Sequence, residues 1–142
     1  MKNLAKALMF AVALSTPAGH AWTQDSDPGE RVFKKCMTCH MIGPTAKNTV
    51  GPAQNGVIGR AAGTVPGFAY SPINKAAGEN GLVWTEENLF AYLADPQGFL
   101  INFLKEKGKA DLAKGVTKMT FKLPSEEERK SVIAYLKKFP AK

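Results

Sequence analysis

The chain has 142 residues, a length that favours a single domain. Its formal net charge is +7, but the basic residues form no dense run of the kind found in nucleic-acid-binding tails, so we expect no nucleic-acid partner. Beyond residue 21, no stretch approaches the roughly 20 apolar residues that a membrane-spanning helix requires, so we expect no membrane span there.

Residues 1–21 have the pattern of a secretory signal peptide. Two lysines precede a short apolar run over residues 7–14, and small residues lead to a cleavage site before Trp22. The alternative is an uncleaved membrane anchor, for which the apolar run is short. We therefore expect a periplasmic protein with a single domain over residues 22–142.

The expected domain keeps a basic surface after cleavage. Two of the 19 basic residues and none of the 12 acidic residues precede residue 22, so the remaining formal charge is about +5. A basic surface suits acidic protein partners, because electrostatic attraction speeds their encounter.

Capping residues and apolar spacing predict helices in the first half of the chain. Asp27 can cap a first helix, with Pro28 in its first turn. Ser71 with Pro72 caps a short second helix that ends at Gly78.

The second half of the chain is predicted to be helical as well. Thr85 begins a helix that ends at Asp95, and an amphipathic stripe over residues 99–104 follows it. Residues 105–115 are polar, and Ser125 opens a capping box for the final helix. No strand pattern or internal repeat stands out, so the predicted fold class is all-α.

Residues 41–70 are rich in Gly, Pro, Thr and Asn and are predicted to form loops. Such a long loop is unusual in a compact domain. It becomes reasonable if the loop wraps a cofactor that supplies the missing core.

The spacing of Cys36, Cys39 and His40 is C-x-x-C-H, which is typical of covalent haem attachment. Two thiols at this spacing can add to the two vinyl groups on one edge of a porphyrin. The imidazole of His40 follows immediately and can reach the iron from one face. Secretion agrees with this interpretation, because such attachment takes place outside the bacterial cytoplasm.

Two other interpretations of the motif stay open. A C-x-x-C pair can be a redox dithiol, but no βαβ pattern surrounds this one and His40 would be unexplained. A closed zinc site takes about four ligands. The chain has two cysteines and two histidines, and His20 lies in the expected signal peptide.

Elimination points to Met119 as the second axial ligand of the iron. Loss of His20 with the signal peptide removes bis-histidine ligation within one chain. Met37 and Met41 lie beside the attachment motif, and the other two methionines fall within residues 1–21. A core or surface role is the usual one for a methionine, so this assignment depends on the elimination.

These residues and the motifs after them resemble the class I cytochromes c, and among them the bacterial cytochrome c2 type with a long insertion before the methionine loop. The resemblance covers nearly all of residues 22–142. The motifs occur in one order: Cys36 to His40, Val50-Gly51-Pro52, Gly56-Val57-Ile58-Gly59-Arg60, Gly67-Phe68-Ala69-Tyr70, Trp84, Lys118-Met119-Thr120-Phe121, and Ala134 to Lys138.

The resemblance implies a fold in which the first and last helices cross over a covalently bound haem c and long loops wrap it. Gly29 and Phe33 would pack against Tyr135 at the crossing. The family pattern also implies positions around the cofactor. Pro52 would accept a hydrogen bond from the outer nitrogen of His40. A haem propionate would be held by Arg60, Tyr70 and Trp84, and the methionine sulfur would lie near Asn74, Tyr92 and Thr117. The exposed haem edge would be surrounded by Lys34, Lys35, Lys118 and Lys122.

The chain departs from the family pattern at two positions. Gly51-Pro52 is followed by Ala53 and Gln54, where the family usually has Asn and Leu. Gln54 needs a polar partner there or must turn outward, and Ala53 loses an amide that would brace the loop.

The resemblance implies a soluble, monomeric electron carrier and not an enzyme. It would take one electron from a membrane quinol:cytochrome c reductase and pass it to a terminal oxidase or photosynthetic reaction centre. Such partners present acidic docking surfaces to basic carriers. The alternative is a ligand-binding or peroxidase-like haem protein with an open sixth coordination site.

Overall fold

A computed structural model describes residues 26–141 and shows a helical protein with long loops. Its α-helices are α1 Pro28–Phe33, α2 Pro72–Glu79, α3 Glu86–Ala94, α4 Pro96–Glu106 and α5 Glu126–Leu136, with a 3-10 turn at Ala110–Leu112. The part of the chain described contains no strand, only an isolated bridge between Ala61 and Val83. The predicted signal peptide lies outside the described residues. Within residues 26–141, no helix is both long and apolar enough to cross a bilayer.

Three of the predicted helix caps are confirmed by their hydrogen bonds. The Asp27 carboxylate accepts a hydrogen bond from the Gly29 N–H at 2.7 Å. Thr85 Oγ1 accepts one from Asn88 at 3.1 Å, and Ser125 Oγ accepts one from Glu128 at 3.3 Å. Each bond satisfies an N–H that the first helical turn leaves without an internal partner, so each helix begins where its cap stands.

The predicted cap at Ser71 is wrong in its mechanism. The hydroxyl makes no capping hydrogen bond to α2, and it is buried without a partner among the described residues. Pro72 occupies the first helical position, where its fixed φ suits a helix and its missing N–H costs nothing. The helix therefore starts without the hydroxyl, which is turned inward, and ends at Glu79, one residue later than expected.

The first and last helices cross at Gly29, as the resemblance implied. A Cβ at this position would lie 2.2 Å from the carbonyl oxygen of Ser131 and 2.5 Å from Cβ of Tyr135. Only glycine permits this approach, because any side chain would separate the helices. The rings of Phe33 and Tyr135 then meet with centroids 5.6 Å apart, and Val132 is buried beside them.

The loops over residues 41–70 are held by hydrogen bonds to distant segments. The N–H of Gly56 donates to the carbonyl of Phe139 at 2.7 Å, beyond the end of α5. The N–H of Gly59 donates to Trp84 at 2.9 Å, and Ala62 donates to Leu82 at 2.8 Å. These bonds satisfy backbone groups that no helix or strand pairs, which fixes the loop against the helices.

The segment after α4 has more structure than its polar composition indicated. The helix continues to Glu106, and the 3-10 turn at Ala110–Leu112 follows. Gln97 of α4 holds the end of this segment against the helix. Its side-chain amide donates to the carbonyl of Gly115 at 3.1 Å and accepts from the N–H of Thr117 at 2.7 Å. This contact positions the loop that carries Met119.

Candidate functional site

The helices and loops enclose an open cavity whose wall is mostly apolar. Eight of the nine predicted site residues line it: Cys36, His40, Pro52, Arg60, Tyr70, Trp84, Tyr92 and Met119. The ninth, Cys39, is half-buried next to His40 but is not part of the lining. The structure thus gathers residues from widely separated segments around one space.

The C-x-x-C-H segment lies on turns that follow α1. The helix itself ends at Phe33. The N–H of Cys36 donates to the carbonyl of Phe33 at 2.8 Å, and the N–H groups of Cys39 and His40 both donate to Cys36 at 3.0 and 2.9 Å. These bonds hold both thiols and the imidazole within one tight, continuous turn.

The environment of Cys36 is unlike that of a reactive redox thiol. Burial raises the pKa of Cys36 to about 11, with a further contribution from Cys39 and an opposing one from Lys35. Redox-active cysteines have depressed pKa values, because the thiolate is the nucleophile. This observation weighs against the dithiol interpretation of the motif.

The imidazole of His40 is oriented by the backbone of the following loop. Its Nδ1 lies 2.8 Å from the carbonyl oxygen of Pro52, which has no proton to donate. Nδ1 must therefore carry the ring proton, which leaves the lone pair of Nε2 free. Burial holds the pKa of His40 below its usual range, against the raising effect of the Pro52 carbonyl. A neutral imidazole with a free Nε2 is the form that binds metals.

The loop around Pro52 is braced by Asn48, which the sequence analysis did not single out. Asn48 Oδ1 accepts from the N–H of Ala53 at 3.0 Å, and Asn48 Nδ2 donates to the carbonyl of Pro66 at 2.9 Å. Asn48 therefore ties the backbone of Ala53 to that of Pro66, although Ala53 has no side-chain amide of its own. No sequence signal distinguished Asn48 from the other polar residues of this loop.

Gln54 turns inward and finds polar partners. Its Nε2 lies 3.0 Å from the carbonyl oxygen of Pro52 and 2.9 Å from His40 Nδ1. The side chain is half-buried on the wall of the cavity. The departure from the family pattern is therefore accommodated beside the imidazole, and not by exposure to solvent.

Arg60, Tyr70 and Trp84 lie on the cavity wall with distinct environments. The Arg60 guanidinium donates to the carbonyl of Asn55 at 2.9 Å, and burial lowers its pKa. The Tyr70 hydroxyl accepts a hydrogen bond from the N–H of Val65, and burial raises its pKa. The Trp84 ring is buried, with its centroid 4.6 Å from that of Tyr92.

Two buried polar atoms at the cavity lack partners among the described residues. They are Ser71 Oγ and Asn74 Oδ1, and both residues line the space. Buried polar atoms without a hydrogen bond are rare in folded proteins. Together with the partly buried charge of Arg60, the Ser71 hydroxyl fits a prosthetic group that carries acidic substituents on an apolar body, as haem does. Asn74 Oδ1 can only accept, so it requires a donor and does not pair with a carboxylate.

Tyr92, Thr117 and Met119 come together on the cavity wall. The side chains of Tyr92 and Thr117 are hydrogen-bonded, and burial raises the pKa of Tyr92 to about 12. The N–H of Met119 lies 3.4 Å from Thr117 Oγ1. The predicted grouping of tyrosine and threonine beside the methionine is present, and Gln97 anchors it from α4.

The four lysines singled out in the sequence lie in different surroundings. Lys118 lines the cavity, donates to the carbonyl of Ala69 and has its Nζ 5.7 Å from the centroid of the Phe68 ring. Lys35 pairs with Glu128 at 2.5 Å and Lys122 with Asp95 at 2.9 Å. Lys34 is exposed at the end of α1. The carboxylates beside Lys35 and Lys122 offset their charges locally, whereas Lys34 and Lys118 have no acidic partner among the ion pairs of the described residues.

Curated proteins of known identity resemble this chain over most of its length. Cytochrome c2 iso-2 of Rhodospirillum centenum is 65% identical over 118 residues, which cover 82% of this chain and 98% of that protein. A cytochrome c2 of Rhodopseudomonas palustris is 62% identical over 113 residues, covering 80% and 96%. A scan against models of protein families finds no match.

Solved structures give the same result for the fold. The structure of cytochrome c2 from Rhodospirillum centenum superposes with a TM-score of 0.79 at 65% identity, covering 81% of this chain and 99% of that one. The ferricytochrome c2 of Rhodopseudomonas palustris has a TM-score of 0.76 at 60% identity, covering 82% and 99%. The predicted all-α class I cytochrome c fold is confirmed.

These relatives share the fold of the chain, and cytochromes c2 carry haem c and transfer electrons without acting as enzymes. The chain belongs to the class I c-type cytochromes, among which it resembles the cytochromes c2.

Proposed function

We propose that the chain carries one haem c, bound by thioether bonds from Cys36 and Cys39, with His40 and Met119 as the two axial ligands. The observation that supports this most directly is the 2.8 Å contact between His40 Nδ1 and Pro52, which frees Nε2 at a cavity that Met119 also lines. The same cavity has the mostly apolar wall that such a cofactor requires.

The bound cofactor supplies one-electron chemistry, and the chain determines how that chemistry is used. A His/Met pair fills both axial positions, so no small molecule has a ready site. The thioether of Met119 favours reduced iron and raises the reduction potential. The hydrogen-bonded loops around His40 and Met119 keep both ligands in place in either oxidation state, which suits a carrier.

Arg60, Tyr70 and Trp84 hold a haem propionate in this proposal. Ser71 completes the contacts, because its hydroxyl can donate a hydrogen bond and has no partner within residues 26–141, while Asn74 keeps its predicted place near the methionine sulfur. A buried carboxylate needs such donors, since an unpaired buried charge is costly. Tyr92 and Thr117 form the polar pair beside the methionine sulfur.

The carrier works in the periplasm, between a membrane quinol:cytochrome c reductase and a terminal oxidase or photosynthetic reaction centre. The signal-peptide pattern of residues 1–21 and the relation to cytochromes c2 support this location. The positive charge supports docking on acidic partner surfaces, with Lys34, Lys35, Lys118 and Lys122 nearest the exposed haem edge and the protein acting as a monomer.

The axial ligands are tested by the far-red absorption band that a sulfur ligand gives to ferric haem. Purified oxidised protein from a periplasmic expression host is expected to show this band, and Met119→Ala to lose it while the haem stays attached. The exposed Met37 provides the matched control, since Met37→Ala leaves both ligands intact. If the band persists in Met119→Ala, another residue is the ligand.

An open sixth site, as in a gas sensor or peroxidase, has a separate signature. The reduced wild-type protein is expected to bind carbon monoxide poorly at neutral pH, and Met119→Ala to bind it readily. Rapid binding by the wild type would favour the ligand-binding alternative.

Docking through the basic surface is tested by ionic strength. The rate of electron transfer with an acidic partner is expected to fall as salt is added, because screening shortens the range of attraction to about 10 Å at 0.1 M. A rate that does not respond to salt would contradict lysine-guided docking without affecting the ligand assignment.

A further inference from the structure

The amide of Gln54, the imidazole of His40 and the carbonyl of Pro52 form a close triangle of polar atoms. His40 Nδ1 lies 2.8 Å from Pro52 O, Gln54 Nε2 lies 3.0 Å from the same oxygen, and the two nitrogens are 2.9 Å apart. All three distances are within hydrogen-bond range. Three atoms this close cannot all be bonded to one another, so their protons must be assigned.

Donor and acceptor chemistry leaves one consistent assignment. Pro52 O has two lone pairs and no proton, so it can accept from both nitrogens. If Gln54 were flipped, its Oε1 would lie against Pro52 O with no proton between the oxygens. If His40 carried its proton on Nε2, the lone pair of Nδ1 would face the carbonyl. Pro52 therefore accepts from Nδ1–H and from the Gln54 amide at once.

We propose that Gln54 is a positioning residue that shares the Pro52 carbonyl with His40 and so raises the reduction potential of the haem. A carbonyl that accepts two hydrogen bonds binds each donor less strongly than a carbonyl that accepts one. The weaker bond leaves the Nδ1 proton more tightly on the ring and makes Nε2 a poorer electron donor. A weaker electron donor stabilises ferric iron less, and the effect on ferrous iron is smaller. The reduced form is therefore favoured.

The inference rests on the proposed ligation of the iron by His40. The direction in which the reduction potential changes distinguishes it from a simple effect of polarity. Replacing Gln54 by an apolar residue makes the haem surroundings less polar, which disfavours the more highly charged ferric centre and raises the potential. Removing the Gln54 amide leaves the Pro52 carbonyl to His40 alone. The hydrogen bond from His40 Nδ1–H then becomes stronger, and the reduction potential falls. The two explanations therefore predict opposite shifts for the same substitution.

The experiment compares the reduction potentials of Gln54→Leu, Gln54→Met and Gln54→Asn with that of the wild-type holoprotein. Leucine and methionine remove the amide at similar side-chain volume, while asparagine keeps the amide but is one methylene too short to reach Pro52. The proposal expects the potential to fall in all three. A rise with leucine and methionine and no change with asparagine would show a polarity effect and overturn it, as would three unchanged potentials.

A measurement on the wild-type protein does not depend on how well any variant folds. In the NMR spectrum of the diamagnetic ferrous protein, the Nδ1 proton of His40 is expected to show a nuclear Overhauser contact with the Gln54 side-chain amide. In Gln54→Leu this proton is expected to shift downfield, because its hydrogen bond to Pro52 is stronger. Absence of the contact would mean that Gln54 points elsewhere, which overturns the proposal.

The far-red band distinguishes failure of this inference from failure of the proposed function. Variants that retain haem and the Met119-dependent band but have the wild-type potential would exclude the role of Gln54 alone. Loss of haem or of the band in the wild-type protein would instead remove the ligand set on which the inference rests.

Discussion

Gly51 lies so close to His40 that a Cβ at residue 51 would be 2.4 Å from Cε1 and 2.6 Å from Nδ1 of the imidazole. Two hydrogen bonds hold the backbone around Gly51 in this position. The N–H of Gly51 donates to the carbonyl of Cys39 at 2.7 Å, and Thr49 Oγ1 donates to the same carbonyl at 2.6 Å. The loop is thus fastened to the cysteine motif itself, with the imidazole ring packed against bare backbone.

Gly51→Ala is expected to displace the imidazole of His40. The added methyl group cannot be accommodated without moving either the ring or the loop that holds Pro52. We expect lower yield of holoprotein and a changed reduction potential, measured by haem content and redox titration. Lys47 in the same loop gives the control, because its side chain is exposed and is not among the residues that line the cavity, so Lys47→Ala leaves the site intact. If Gly51→Ala had the haem content and reduction potential of the wild type, the loop would be able to move without displacing His40, and the prediction would be wrong.

Gly29→Ala is expected to destabilise the crossing of α1 and α5. The methyl group would overlap the backbone of Ser131 and the side chain of Tyr135, and overpacking of this kind costs about 1–3 kcal/mol. Denaturant unfolding of the holoprotein measures the change in the free energy of unfolding. Gly81→Ala tests backbone strain alone, since Gly81 has a φ of +91° and no atom within 4 Å of the added carbon. Equal losses in the two variants would contradict a steric cause at Gly29.

Arg129→Met is expected to destabilise the start of α5. The guanidinium is buried, donates to the carbonyls of Leu123 and Pro124 at 2.8 and 2.7 Å, and lies 4.3 Å from the centroid of the Phe90 ring. Methionine keeps the apolar stem but leaves both carbonyls without their donor, at a cost of about 2–4 kcal/mol. Thermal and denaturant unfolding measure the loss.

The control for Arg129 is the next residue on the same helix. Lys130 is exposed, and Lys130→Met is expected to change the free energy of unfolding by less than about 0.5 kcal/mol. A similar small effect for Arg129→Met would mean that water replaces the guanidinium at the two carbonyls.

Stability is expected to fall at alkaline pH partly through Tyr92. Burial raises its pKa from 10.0 to about 12, so the folded protein keeps the phenol proton where the unfolded chain has lost it. The contribution of Tyr92 is fully present below pH 10 and is lost as pH rises toward 12. Denaturant unfolding at several pH values should show a steeper decline above pH 10 in the wild type than in Tyr92→Phe. Parallel curves would contradict this cause.

The helix boundaries show what local chemistry determines. Asp27, Thr85 and Ser125 cap the helices that the sequence predicts, because a cap bonds to an N–H only two or three residues away. Ser71 has the same pattern, yet its hydroxyl is buried and makes no capping hydrogen bond. A proline at the first helical position already suits the helix, so the hydroxyl is not required there.

The predicted chemistry of the site comes from local sequence patterns. The spacing of Cys36, Cys39 and His40 and the elimination that leaves Met119 depend on residue types and order along the chain, which folding does not change. The resemblance extended this to the residues around the cavity, and eight of the nine predicted site residues line it.

The partners of polar groups that meet across long stretches of sequence appear only in the folded structure. Asn48 donates to Pro66, Gln97 accepts from Thr117, and Arg129 lies over the ring of Phe90. The inward turn of Gln54 toward His40 belongs to the same class. Each depends on which backbone groups the fold leaves unpaired nearby, and that is settled only when loops and helices are packed together.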